Sequence, residues 1–142
     1  GEFAHGFTYS GHPAACAVAL KNIELIKKEN ILDSVKNSIA PYLKDKWLSL
    51  GDHPIVGEAR IKGLMGAIEL SNDKEKRSRF PSDFNAGSLC RDISIKNGLV
   101  MRAVGDSMII APPLVINHQQ IDELVDKARI TLDQTQEAVQ KL

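Results

Sequence analysis

The chain has 142 residues, enough for one ordinary domain with its own core. Apolar residues make up 43% and charged residues 25%, and 18 Lys plus Arg balance 18 Asp plus Glu, so the formal net charge is zero. That balance argues against a nucleic-acid partner, which calls for a basic surplus, and the apolar content argues against disorder outside the polar stretch Asn72 to Arg79.

The longest mainly apolar run, near Ala14 to Leu20, is too short to cross a bilayer. No basic, then apolar, then small-residue pattern opens the chain. Gly1-Glu2-Phe3 contains no Met and runs at once into dense, patterned sequence, which predicts a chain cut from something larger. Cys16 and Cys90 have no motif around them and are expected to be buried free thiols, as in a cytoplasmic protein.

Residues 1–12 are aromatic, Gly- and His-rich and read as an ordered loop. Pro13 suits the first position of a helix, where its missing N–H costs nothing. Ala14 to Leu20 is small and apolar on all sides, with Ile23 and Ile26 continuing it. A helix of that kind is expected to be buried against other structure. Nothing else in a chain this size obviously covers it, a second sign of missing sequence.

A polar break at Lys27 to Asn30 leads to another helical pattern through Ile31, Leu32, Val35, Ile39, Leu43, Trp47 and Leu50, which Pro41 is expected to kink or divide. Gly51 to Pro54 is a loop and a boundary between two parts, residues 1–52 and 54–142. Beyond it the period changes to that of strands. Ile55 to Ile61 and Leu64 to Leu70 form a pair about Gly63. Asn72 to Arg79 is a solvated loop.

Pro81-Ser82 starts a helix with Ser82 as N-cap, carrying Phe84, Leu89 and Ile93 inward and closed by Asn97-Gly98. Leu99 to Ala103 and Ser107 to Ala111 make a second strand pair about Val104-Gly105-Asp106, ended by Pro112-Pro113. The last helix has Asn117 as cap and Gln120 as capping-box partner, with Ile116 and Ile121 placed as a hydrophobic staple. Ile121, Leu124, Val125, Ala128, Leu132, Val139 and Leu142 then share one face. The β-β-α-β-β-α order predicts an α+β fold, a small antiparallel sheet with helices on one face.

Two places carry possible chemistry. Thr8-Tyr9-Ser10-Gly11-His12-Pro13 sets hydroxyls and a glycine ahead of a helix dipole, an arrangement that suits phosphate. The plainer reading is a loop in which Ser10 or Thr8 merely caps the helix. Arg102 stands on an apolar strand beside a tight turn and could hold a carboxylate in bidentate fashion. The plainer reading there is an arginine on the solvated face or one paired with Asp106. His12 and Cys16 could share a helix face, but no further metal ligand falls at a usual spacing. Lys62, beside Gly63, reads as an exposed turn lysine.

Taken together these segments resemble the class III, omega-type aminotransferases. Phe3-Ala4-His5-Gly6-Phe7-Thr8-Tyr9-Ser10-Gly11-His12-Pro13-Ala14-Ala15-Cys16-Ala17 resembles their phosphate loop, Gly63 to Leu70 the strand that opens their small domain, and Met101-Arg102-Ala103-Val104-Gly105-Asp106 their substrate-arginine segment. Ile61 departs from the pattern, since relatives often have Gly after the strand arginine, here Arg60.

The resemblance implies the C-terminal portion of a fold-type I pyridoxal 5'-phosphate (PLP) enzyme: residues 1–52 as the tail of the large domain and 54–142 as the small domain. It implies that Thr8 binds the cofactor phosphate across a homodimer interface, that Ser10 and Tyr9 shape the loop, and that Phe7 lines the substrate entrance. Arg102 would hold the carboxylate of pyruvate or alanine and swing aside for an amine, with Asp106 helping to position it. The Schiff-base lysine would lie upstream, so no catalytic residue is assigned here and the isolated segment is expected to be inactive. The implied reaction moves an amino group from a primary amine, diamine or omega-amino acid to pyruvate. An aminomutase, a biotin-pathway aminotransferase, or a stand-alone α+β ligand- or partner-binding module are the alternatives.

Overall fold

A computed structural model of the chain describes residues 1–3, 5–81 and 83–141. Helix α1 (Pro13–Lys28) starts at the proline, with Lys27 and Lys28 in its last turn beside the negative end of the dipole. It breaks at Glu29-Asn30, where Asn30 takes a left-handed φ of 50°.

The next helical stretch is divided as Pro41 predicts. Helix α2 (Ile31–Ser34) passes into a π turn (Val35–Ile39), then helix α3 (Ala40–Leu48) and a 3-10 turn (Ser49–Asp52). The N–H of Ala40 bonds to the carbonyl of Val35, five residues back. Widening the helix there accommodates a residue that lacks an N–H and crowds the preceding turn.

Strands β1 (Val56–Lys62), β2 (Met65–Leu70), β3 (Arg102–Val104) and β4 (Ser107–Ile110) form one antiparallel sheet in the order β1-β2-β4-β3. Gly63, at φ 58°, closes the first hairpin. Arg60 to Lys62 stay in the strand, so Ile61 leaves the turn at Gly63 intact. The loop from Asn72 is ordered rather than merely solvated: Asn72 N–H donates to the Ser78 carbonyl and Ser78 N–H to the Asp73 carbonyl, both at 3.0 Å.

Helix α4 (Ala86–Lys96) begins later than its sequence suggests, with Asn85 as the capping position. Ser82, the expected cap, lies outside the described residues. Phe84 therefore packs from a turn that precedes the helix, stacked on Phe80 at 5.7 Å between ring centres. The buried face is Ala86, Gly87, Cys90 and Ser94, while Leu89 and Ile93 are only half-buried. At Gly87 the helix approaches the β3–β4 turn so closely that a Cβ would overlap the Gly105 carbonyl, while Cys90, a turn further on, meets Thr135 of the last helix. Its end is a Schellman motif: Gly98 N–H bonds to the Ile95 carbonyl at 3.0 Å and Leu99 N–H to that of Ser94 at 2.9 Å.

Helix α5 (His118–Gln140) carries the expected capping box. Asn117 accepts from Gln120 N–H at 2.9 Å and Asn117 N–H donates to the Gln120 side chain at 3.0 Å. Ile116 and Ile121 are both buried, as the staple requires. Thr131 and Thr135 join the buried face, each hydroxyl bonded four residues back to a backbone carbonyl, and Leu124 and Val139 flank it half-buried. Leu142 lies outside the described residues.

Leu43, Trp47 and Leu50 pack into the same core as Ile68, Met108 and Ile121. Polar ties cross the same junction. Tyr42 hydroxyl donates to Asp122 at 2.8 Å, Lys46 pairs with Asp122 at 2.8 Å, and buried His53 bonds Asp133 at 3.1 Å. Helix α1 is different: it leans mainly on α2, and Val18 and Leu20 of its apolar face are each 69% exposed. That nothing in this chain covers the face is as the sequence suggested; the expectation that both cysteines are buried holds for Cys90 alone, since Cys16 is exposed.

Candidate functional site

The loop before α1 folds on itself. Ser10 Oγ accepts from Phe7 N–H at 2.8 Å, and Ser10 N–H donates to the Phe7 carbonyl at 2.9 Å. The Ser10 hydroxyl proton is thereby left to donate elsewhere. His12 occupies the N-cap of α1 and makes no side-chain capping bond, so neither Ser10 nor Thr8 closes the helix. Pro13 has no N–H, and the first turn of α1 contains no acidic residue.

Thr8, Tyr9 and Ser10 all lie in an exposed turn just ahead of the positive end of α1, whose first turn carries no carboxylate, so the loop is compatible with an anion. This donor set fits a phosphate group. Phe7 projects from the same turn and is 74% exposed, its ring edge-on to His5 at 5.1 Å between centres. Tyr9 is exposed beside it.

Arg102 opens β3, an edge strand that pairs only with β4. The register runs Arg60, Ala67, Ile109, Arg102 straight across the sheet. Paired residues share a face, and the neighbouring row, Ala59, Ile68, Met108 and Ala103, points into the core. Arg102 therefore stands on the sheet face turned away from the helices, between half-buried Ile109 and solvent.

Arg60, at the other end of that row, is held by Glu69 at 3.1 Å and Glu58 at 3.5 Å. Arg102 forms no comparable ion pair among the described residues. The expected alternative, a pair with Asp106, is not formed: the Asp106 carboxylate accepts from Gly87 N–H at 3.1 Å instead. The arginine is thus presented without a protein counter-ion.

No bond among the described residues joins the loop to β3, so this chain does not close Thr8, Ser10, Phe7 and Arg102 into one pocket. Gly87 is the position that sequence reading passed over. A glycine inside a helical pattern costs about 1 kcal/mol against alanine and so calls for a packing reason, and that was the available clue. Cys90, the other reactive group in the fold, has its thiol pushed up by burial, with a smaller opposing effect from a hydrogen bond to Thr135. A thiol held neutral in this way is packing material rather than a nucleophile.

Residues 1–132 match the family described as aminotransferase class-III. The chain is 58% identical over 139 residues to a putrescine–pyruvate aminotransferase of Pseudomonas aeruginosa, covering 98% of this chain and 30% of that protein. It is 39% identical over its whole length to the mitochondrial gamma aminobutyrate transaminase 1 of Solanum lycopersicum, covering 27% of it.

Among solved structures, a thermostable (S)-enantioselective omega-transaminase from Thermomicrobium roseum superposes with a TM-score of 0.85 at 36% identity, over 95% of this chain and 30% of that one. A thermostable omega transaminase mutant from Pseudomonas jessenii gives 0.84 at 34% identity, over 93% and 29%. The chain thus spans about 30% of the length of the curated relative first compared. The match over residues 1–132 and these likenesses in both sequence and fold place the chain in the class III aminotransferase family.

Proposed function

We propose that these residues form the C-terminal part of an enzyme that moves an amino group from a primary amine, diamine or omega-amino acid to pyruvate. The observation that carries the reading is the pairing, in one chain, of an uncapped helix-end loop with hydroxyls and an arginine lacking a counter-ion on an open sheet face. The 58% identical relative described as a putrescine–pyruvate aminotransferase supports both the diamine and the keto acid.

Residues 1–52 belong to the tail of the large domain and 54–142 to the small domain, although Leu43 and Trp47 of the first share the core of the second. PLP supplies the electron sink for the amino-bearing carbon when bound. Thr8 and Ser10 donate to its phosphate, with Thr8 reaching the cofactor of a second copy in a homodimer. Phe7 lines the substrate entrance, and Arg102 orients the keto acid by its carboxylate. None of the lysines in this chain is assigned the catalytic role, so the segment by itself is inactive. A cytoplasmic setting is part of the same reading and is supported by the two free cysteines. No described helix is long and apolar enough to cross a membrane.

The test is Arg102→Ala in the full-length enzyme that carries this segment, with each half-reaction followed by stopped flow. Loss of one charge-assisted contact, about 1.5–3 kcal/mol, weakens pyruvate and alanine by roughly 10- to 150-fold and spares a carboxylate-free diamine. Equal loss in both half-reactions removes Arg102 from the carboxylate site.

A further inference from the structure

We propose that Gly87 and Asp106 are positioning residues for Arg102, docking the β3–β4 turn onto the first turn of α4 and so setting where the guanidinium meets the substrate carboxylate. The inference rests on the reading of Arg102 given above; the help from Asp106 that the resemblance implies is given a route here, through Gly87 and the first turn of α4 rather than through a side-chain pair with the arginine.

Arg102 has no side-chain partner among the described residues, so its place is set by the backbone of β3. That strand is three residues long and bonded on one side only, a weak anchorage. Before it, Met101 is sunk in the core. After it, three observations converge on the turn. Asp106 Oδ1 accepts from Gly87 N–H at 3.1 Å. The Asp106 carbonyl accepts from Leu70 N–H at 2.9 Å, tying the turn to the end of β2. A Cβ placed on Gly87 would overlap the Gly105 carbonyl oxygen and lie 3.2 Å from Asp106 Cα, so only glycine lets the helix and turn meet.

One aspartate thus satisfies an orphan N–H at the start of α4 and fastens the turn that follows the arginine. Glycine is a poorer helix former than alanine, and this contact explains its presence in the first turn. Bidentate recognition tolerates about 0.5 Å of error. A displacement of about 1 Å in a group that positions substrate costs up to about 100-fold. Freeing the turn is therefore expressed at Arg102 before it is expressed in the fold.

The experiment is a double-mutant cycle between Asp106→Ala and Arg102→Ala in the full-length enzyme, reading the dissociation constant of pyruvate and the half-reaction with a carboxylate-free diamine. Asp106→Ala raises the pyruvate constant about tenfold and leaves the diamine half-reaction unchanged. Asp106→Asn, whose amide oxygen still accepts from Gly87 N–H, restores it to within about twofold. In the Arg102→Ala background, Asp106→Ala adds nothing further, since the group it aims is gone.

If Asp106→Ala does not fold, the cycle is run with Asp106→Glu, which keeps the acceptor but pushes the turn away from α4, with the same expected pattern. Loss in both half-reactions together, an unchanged pyruvate constant, or an undiminished effect in the Arg102→Ala background overturns the proposal. An Arg102→Ala variant that itself leaves pyruvate unaffected overturns the carboxylate reading instead, so the two failures are told apart.

Discussion

Replacing Trp47 by alanine tests whether the helical tail and the sheet share one core. The indole is fully buried, donates its N–H to the Ala67 carbonyl at 3.3 Å, and lies so close to Gly66 that a Cβ there would sit 2.9 Å from its nitrogen. Burial of about 200 Å² of ring at roughly 25 cal/mol per Å² gives about 5 kcal/mol as an upper figure. Measured Trp→Ala losses of about 3–5 kcal/mol agree, and the hydrogen bond accounts for about 1 kcal/mol of that. Such a loss is a large part of a typical domain's about 5–15 kcal/mol.

Urea unfolding of the 142-residue chain followed by far-UV circular dichroism provides the measurement, since the only tryptophan is the one removed. Trp47→Phe, which keeps most of the apolar area and loses the N–H, should cost only about 1–2 kcal/mol. A Trp47→Ala loss below about 1 kcal/mol would show that residues up to 52 do not pack with the sheet, contrary to the core described above.

Three further outcomes are expected. Asn117→Ala removes the cap of α5 and lowers stability by about 1 kcal/mol in the same unfolding assay, whereas Asn117→Gly costs a few tenths. Asp122 is held below the usual carboxylate range by its bond to Lys46 first and by Tyr42 next, and Lys46 is raised by its hydrogen bond to Asp122. The stabilisation from Asp122 is thus present above its unfolded titration and lost as pH falls through the lowered one. The melting-temperature gap between the chain and Asp122→Asn, present at neutral pH, closes on acidification, and a gap that persists in strong acid contradicts the pairing. In the full-length enzyme, Thr8→Ala raises the PLP dissociation constant about tenfold or more, through loss of one hydrogen bond to a charged group; an unchanged constant removes Thr8 from the phosphate site.

Elements whose signals are local could be read directly. Pro13 at the start of α1, the Asn117–Gln120 capping box and the Gly98 helix stop act within a few residues, and each appears where its chemistry puts it. Pro41 announced an interruption but not its form; the π turn at Val35–Ile39 is the helix's way of absorbing it. For Thr8, Ser10 and Arg102, residue type and neighbours left a plainer reading open at each place, and their phosphate and carboxylate roles are what the resemblance to class III aminotransferases implies.

Contacts between distant segments were not legible. The inner face of α4 is Ala86, Gly87, Cys90 and Ser94 rather than a Leu89 and Ile93 stripe, because the helix is placed by distant partners: at Gly87 a turn nearly twenty residues on leaves no room for a Cβ, and at Cys90 it meets Thr135 of α5. Asp106 bonds to Gly87 and not to Arg102 for the same reason: its partner is chosen by packing, not by sequence distance. The apolar helix α1 shows the complementary case, since its composition called for burial while within these residues it leans mainly on α2 and Val18 and Leu20 stay exposed. Caps, turns and periodicity therefore came from the sequence by itself, because their energies are local. Which faces are buried, and which arginine is left without a counter-ion, was decided by how the elements pack.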